Sequence, residues 1–268
     1  AMMKTRKEHE CLENTSAKNQ TSFSKDLNEK ATDLGISVVI LAYRSGEGIR
    51  AFVESMVQSL DENEPSWEIV LVGNHFVDDG DSTPCIVSEI AQSHPRIRAV
   101  TRVKEGMMGW DMKSGLEGAT GRTIAVIDGD GQMPFEDVIH VYKKLKDEGL
   151  DLVKTFRTQR GDGLYRKTIS VAYNIIFNIL FPGLNCRDVN SKPKIMTREV
   201  YNRMHLNSNG WFIDAEIMIQ AREMNLKVGE IPTVFLQINY RPSFVKLRSI
   251  WEFSVNLIWY RLFNRSKI

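Results

Sequence analysis

Residues 36–72 read ISVVILAYRSGEGIRAFVESMVQSLDENEPSWEIVLV. The stretch opens on ISVVILAY (36–43), a continuous β-branched and apolar run that suits a strand covered on both faces. SGEGIRAFVESMVQSL follows, with Ile49, Phe52, Val53, Met56, Val57 and Leu60 at helical spacing. WEIVLV (67–72) is a second apolar run of strand length. Strand, amphipathic helix and strand make one βαβ unit, and such units build parallel sheets.

The unit repeats downstream. TPCIVSEIAQSH reads as a helix with Pro84 near its first turn, where the missing amide is harmless. IRAVTRV and TIAVIDGD supply two more strands, with the helix-like WDMKSGLEGA between them, and DLVKTF is a fifth. The predicted fold class is therefore α/β: a doubly wound, mostly parallel sheet with helices on both faces. Residues 1–34 are rich in Lys, Glu, Asn, Thr and Ser and bury too little apolar surface to offset chain entropy, so they are expected to form a mobile polar tail. The main domain is expected over 35–243 and a C-terminal amphipathic helix over 244–268.

Of the 268 residues, 42% are hydrophobic and 26% charged, which excludes collagen, a disulfide scaffold and wholesale disorder. Thirty-five basic and thirty-four acidic side chains leave a formal charge of +1. No global field recommends nucleic acid, and any anion has to be held by a local site. Cys11, Cys85 and Cys186 are odd in number and far apart, as reduced thiols in a cytoplasmic protein would be. No apolar core follows the basic N-terminal residues, so no signal peptide is expected, and Ala1 before Met2 reads as a cloning remnant. No run of about 18 apolar residues is present to span a bilayer.

In open sheets of this kind ligands bind beyond the carboxyl ends of the strands. The richest such end is IAVIDGDGQMPFED (124–137). Asp128, Asp130 and Gln132 are hard oxygen donors in a glycine-relaxed turn that can face one divalent cation, Mg²⁺ or Mn²⁺, and such an ion could bridge to phosphate oxygens. An isolated DGD after a strand also forms a simple turn. Here DGDGQMPFE resembles the signature DADLQHPPE of the family-2 glycosyltransferases of GT-A fold, in the dolichyl-phosphate and polyprenyl-phosphate mannosyltransferase branch. The match falls at Asp128, Asp130, Gln132, Pro134 and Glu136.

The resemblance covers about residues 36–250 and implies roles for other positions. The family's first strand ends in a PxYNE-like turn touching the nucleotide, and AYRSGE keeps Tyr43 with Ala42 and Arg44 as departures. The contact to the nucleotide base is expected after the second strand, on Asn74 nearest the strand end or on Asp78 or Asp79, which match the motif by type, although 78–82 also reads as a solvated acidic loop. Lys104 is a candidate diphosphate or base contact, and Asp111 either touches ligand or caps a helix. KEGMMGWDMKSGLEGATG resembles the glycine-rich stretch that approaches the nucleotide sugar. NYRPSFVK resembles the loop that closes on the diphosphate, through Arg241 and Lys246.

On the acceptor side, Arg166 and Ser170 match an RxxxS motif that holds a lipid phosphate in the family, with Arg157 and Arg160 nearby. Arg166, Ser170, Asn174 and Asn178 form a polar ridge on an otherwise apolar helix, which fits either a core helix with satisfied amides or one at a lipid surface. RDVNSKP corresponds to the acceptor-side motif, keeping Asp188 and Ser191 but placing Lys192 and Pro193 where the family has Gly-Phe. Lys192 and Lys194 could contact an anion or guard an edge strand. Asp214 occupies a position where many relatives keep a catalytic carboxylate, with Glu216 as runner-up. Asp130, Asp188 and Asp214 are thus the catalytic candidates.

The expected activity is inverting transfer of a sugar from a UDP- or GDP-linked donor to a polyprenyl-phosphate acceptor. Aromatic and basic residues over 247–268 imply a peripheral contact at the cytoplasmic membrane face. Nucleic acid is not an expected partner, and a homo-oligomer is compatible with the sequence. The rival readings are transfer to a hydroxyl with Asp214 as base, and a non-catalytic protein that docks nucleotide or membrane. A two-metal nucleotidyltransferase is a weaker third.

Overall fold

The computed structural model describes residues 34–160, 164–236, 255–257 and 259–262, without the side chains of residues 159, 160, 164–167 and 169. The expected tail, the loop with Arg241 and Lys246, and most of 244–268 lie outside the described residues.

Seven strands form one sheet: β1 (Ile36–Leu41), β2 (Trp67–Val72), β3 (Ile97–Val100), β4 (Thr123–Asp128), β5 (Leu152–Arg160), β6 (Lys194–Thr197) and β7 (Val228–Phe235). Their order is β3-β2-β1-β4-β6-β5-β7. All neighbours run parallel except β6, which is antiparallel to both β4 and β5. The mostly parallel α/β sheet expected from the repeated βαβ pattern is therefore present.

The connecting helices are α1 (Gly48–Asn63), α2 (Thr83–Ser93), α3 (Met108–Gly118), α4 (Asp137–Asp147), α5 (Leu164–Leu180), α6 (Arg198–Arg203) and α7 (Ile213–Glu223). Alternation along β1 assigns them to faces. Ile36, Val38 and Ile40 join the core under α1, α2 and α4, whereas Val39 and Leu41 join the core under α3, α5, α6 and α7. Every residue of β1 and β2 is buried because both faces are covered. Fully burying each Ile, Leu or Val contributes about 1.5–3 kcal/mol, so the two cores hold this sheet between its helices.

The glycines of 104–121 have a packing reason. A Cβ at Gly115 would come 2.8 Å from Val72 Cγ2, and one at Gly109 would come 2.7 Å from the Gly210 carbonyl oxygen. Small residues thus let α3 lie against the sheet and the 208–210 loop. Asp111 does not cap α3: the helix starts at Met108, and Asp111 sits in its first turn, paired with other side chains. The edge-strand reading of Lys192 and Lys194 is also overturned. Lys194 opens β6, an interior strand with neighbours on both sides.

Helix α5 inverts the usual amphipathic arrangement. The two asparagines of its polar ridge point inward: Asn174 Oδ1 accepts from the Val189 amide at 2.9 Å, while Asn178 brackets Cys186, donating to its carbonyl at 2.8 Å and accepting from its amide at 3.0 Å. Tyr173, Phe177 and Phe181 are buried beside this ridge. Val171, Ile175, Ile176 and Ile179 face outward, Ile179 at 72% exposure. Helical residues 255–257 and 259–262 pack beside this region. Leu257 is buried and Tyr260 packs on Phe181 and Phe212, but Val255, Trp259 and Leu262 are exposed. Among the described residues no helix is long and apolar enough to cross a membrane.

Candidate active site

The site is assembled at the carboxyl ends of β1, β2 and β4, where the crevice of an open α/β sheet lies. Gly129 follows β4, and its amide donates to the Leu41 carbonyl at 2.9 Å. A Cβ there would come 2.6 Å from Ile49 Cδ1 and 2.9 Å from Ile40 Cγ2, so only glycine brings the chain this close to β1. Gly131 takes a left-handed φ of 72°. The resulting turn holds Asp128, Asp130 and Gln132 half-buried, with Asp130 Oδ1 accepting from the Gln132 amide at 3.0 Å. The Gln132 carbonyl accepts from the Leu236 amide at 2.8 Å, which ties the turn to the end of β7.

Beside β1 and β2 lies an aromatic and cationic wall. Lys104 is buried with Nζ 4.0 Å from the Tyr43 ring centroid, and Phe76 meets Tyr43 edge-on at 6.2 Å. Lys104 pairs with Asp111. Burial pushes the Asp111 carboxyl up from its ordinary value, with Lys104 opposing. Asn74 is wholly buried, donating to Asp111 at 3.0 Å and Ser114 at 2.8 Å and accepting from the Arg102 amide at 2.7 Å. Its amide thus ties β2 and the segment after β3 to α3. Asp79 lies in the neighbouring turn, 3.4 Å from Arg44 and accepting from the Asp81 amide at 3.1 Å.

The third wall is a chain of buried charges that links segments far apart in sequence. Lys192 Nζ lies 3.2 Å from Asp128 Oδ2 and 3.2 Å from Asp214 Oδ2, and Lys194 Nζ lies 2.6 Å from Asp214 Oδ1. Burial alone would depress the Lys192 ammonium, but Asp128 and Asp214 outweigh it and raise its pKa above the ordinary lysine value. Lys194 is pulled down to about 8 by burial, against the pull of Asp214. Burial would raise Asp214, yet the two lysines hold it below the usual carboxylate range.

Asp188 is paired through both oxygens with the Arg157 guanidinium, at 2.6 and 2.8 Å. Lys154 Nζ donates to the Asp188 carbonyl at 2.6 Å and pairs with Glu230 at 2.8 Å. Ser191 Oγ is 2.7 Å from Thr155 Oγ1. Ser170 is half-buried on α5, and Arg160 and Arg166 lie on β5 and α5 with undescribed side chains.

Asp128, Lys192 and Asp214 are brought together, whereas Asp188 belongs to a separate pair with Arg157. Asp214 is only 1% exposed with a lysine on each oxygen, an arrangement that fits a buried counter-charge better than a base for a substrate hydroxyl. The Lys154–Glu230 pair was not anticipated. Its one signal is a lysine within the otherwise strand-like LVKTF.

Among the described residues no group of three or more His, Cys, Asp or Glu side chains is arranged to hold a metal. The two carboxylates and the amide oxygen of the 128–132 turn are nevertheless hard donors of the kind that would hold a divalent cation.

The Glycosyl transferase family 2 profile matches residues 37–208. A dolichyl-phosphate beta-glucosyltransferase of Trichomonas vaginalis is 24% identical over 253 residues, 85% of this chain and 71% of that protein. A dodecaprenyl-phosphate galacturonate synthase of Rhizobium johnstonii is 25% identical over 183 residues, 67% of this chain and 52% of that protein. Among solved structures, glucosyl-3-phosphoglycerate synthase of Mycobacterium tuberculosis, in complex with Mn²⁺, uridine diphosphate and phosphoglyceric acid, superposes with a TM-score of 0.60. It is 20% identical, with 85% of this chain and 78% of that chain covered, and it shares the fold.

Proposed function

Because the chain belongs to glycosyl transferase family 2, we propose that it transfers a sugar from a nucleoside diphosphate sugar to a polyprenyl phosphate, with inversion at the anomeric carbon. An acceptor phosphate oxygen attacks the anomeric carbon as its bond to the diphosphate breaks, and the nucleoside diphosphate leaves. A phosphate monoester has its second pKa near 6, so it is already a nucleophile at neutral pH. Such an acceptor needs no general base, which agrees with an Asp214 held by two lysines.

The single observation that carries the acceptor is α5. Its amides face the protein while Val171, Ile175, Ile176 and Ile179 face outward, an arrangement stable against a lipid or other apolar surface and costly against water. Arg166, in the first turn of the same helix, keeps the phosphate-holding role implied by the RxxxS match, with Ser170 one turn on and Arg160 nearby. The dolichyl- and dodecaprenyl-phosphate relatives support the same acceptor class.

On the donor side, Tyr43 and Lys104 form the wall against which the nucleotide is oriented, with Asp79 as base contact. Asp128, Asp130 and Gln132 would hold Mg²⁺ or Mn²⁺, which supplies positive charge against the departing diphosphate. Arg241 and Lys246 are proposed to close on that diphosphate. The cytoplasmic membrane face, where nucleotide sugars and lipid phosphates meet, is the proposed location.

The test is incubation of the chain with UDP- and GDP-sugars, a polyprenyl phosphate in detergent, and Mg²⁺ or Mn²⁺. Release of nucleoside diphosphate matched by a lipid-linked sugar is the expected result. Release that depends on a hydroxyl acceptor instead would overturn the phosphate reading. The α5 surface has its own test: Ile175→Asp combined with Ile179→Asp. Removing two apolar side chains worth about 1.5–3 kcal/mol each when buried should reduce flotation with anionic vesicles and use of a long-chain acceptor about tenfold or more. Turnover of a short water-soluble polyprenyl phosphate should be retained. Unchanged flotation would remove α5 from the membrane contact.

A further inference from the structure

Lys192 lies in RDVNSKP, which resembles a family motif with glycine at this place, and its surroundings differ from those of a surface anion-binding lysine. It is 3% exposed, and its ammonium has three neighbours at 3.2 Å: Asp128 Oδ2, Asp214 Oδ2 and Met108 Sδ. Two are carboxylates and the third is a thioether, a weak acceptor for a strong donor. Asp128 is 35% exposed, so the same carboxylate that faces the crevice is held from behind by this ammonium. Asp214 is itself fixed by Lys194 at 2.6 Å, and Lys194 donates to the Ser191 carbonyl at 2.9 Å. The cation beside Asp128 is therefore anchored on protein that no ligand has to order.

We propose that Lys192 is a positioning residue on the donor side, an internal cation that occupies Asp128 and competes with a divalent ion for it. The inference rests on the glycosyltransferase reading for the donor but on Asp128 alone for the ion. A fixed positive charge next to a carboxylate opposes a second cation there, and the opposition is strong where water is excluded. The free site then binds a divalent ion weakly. An incoming diphosphate offers the ammonium an acceptor stronger than Met108 Sδ, which loosens its hold on Asp128 and favours joint binding of donor and ion. Lys192 thus leaves the acceptor side to which the motif resemblance assigned it.

The sign of the effect separates this role from a structural one, since damage to the fold weakens ion binding whereas removal of a competing charge strengthens it. The measurement is Mn²⁺ binding by electron paramagnetic resonance to the full chain without nucleotide. Lys192→Gln and Lys192→Met should bind Mn²⁺ about tenfold more tightly than the parent, and Lys192→Arg, which keeps the charge, should bind like the parent. Circular dichroism checks that each is folded, and Lys192→Met retains most of the side-chain volume should the glutamine variant fail. Unchanged or weaker Mn²⁺ binding in a folded neutral variant overturns the proposal. Titration of UDP and GDP with Mn²⁺ present tests the other premise separately. If neither nucleotide binds the parent chain, the transferase reading falls, while tighter Mn²⁺ binding in the neutral variants still upholds the role of Lys192.

Discussion

Replacing Asp130 by Asn is expected to lower sugar-transfer turnover by about a hundredfold or more while leaving the fold nearly intact. The two halves of this expectation have separate causes. The turn depends on an oxygen at this position accepting from the Gln132 amide at 3.0 Å, and an asparagine carbonyl can do the same. The charge cannot be replaced in this way. An asparagine carbonyl offers a divalent ion only a dipole where the aspartate offers a full negative charge. Turnover at saturating Mn²⁺ and the thermal midpoint should be measured together. Near-normal turnover with an unchanged midpoint would remove Asp130 from the site.

The largest expected loss of stability comes from Asp214→Asn, at about 3–5 kcal/mol in urea unfolding at pH 7. The substitution preserves volume, so cavity formation does not contribute. What remains is two buried ammoniums, Lys192 and Lys194, facing a neutral amide. Lys192 keeps Asp128 as a partner, whereas Lys194 keeps the Ser191 carbonyl, an uncharged acceptor.

The cost should shrink as pH rises. In the native parent Lys194 titrates at about 8, against about 10.4 for an unperturbed lysine. Loss of Asp214 removes the charge that supported it and lowers it further. Below the folded value both states carry the proton and the full cost is present. Between the variant's folded value and about 8 the variant's native state has lost a proton that the parent's native state keeps, so the variant gains stability with pH relative to the parent over this window; above about 8 both native states have lost it and the difference levels off. A difference between variant and parent that stays constant from about pH 5 to about pH 9 would show that Lys194 remains charged and is compensated elsewhere.

Much of this protein was decided locally and could be read from residue order. Six consecutive apolar or small residues in β1 require cover on both faces, and the helical spacing from Ile49 to Leu60 supplies part of that cover. The DGDGQ turn was legible for a related reason. Glycine freedom, carboxylate chemistry and strand-end placement are properties of a few neighbouring residues, and their coincidence with a family signature made the turn a candidate site. The polar ridge of α5 was legible as a ridge, but sequence spacing does not say which side of a helix meets the sheet.

Tertiary structure alone decided the rest. Nothing near residue 194 indicates that β6 enters antiparallel between β4 and β5, so that a lysine suited to an exposed edge becomes an interior one. Lys192 meets Asp128 across 64 positions, and Asn74 meets Asp111 across 37. Charged or amide side chains tolerate burial only when such distant partners satisfy them, so their roles depend on chain topology and not on their neighbours in sequence. Residue order therefore determined the layered sheet and its acidic turn. The packing determined which acidic and basic side chains face the crevice and which serve as buried counter-charges, because pairing energies inside the protein are set by three-dimensional proximity in a water-poor interior.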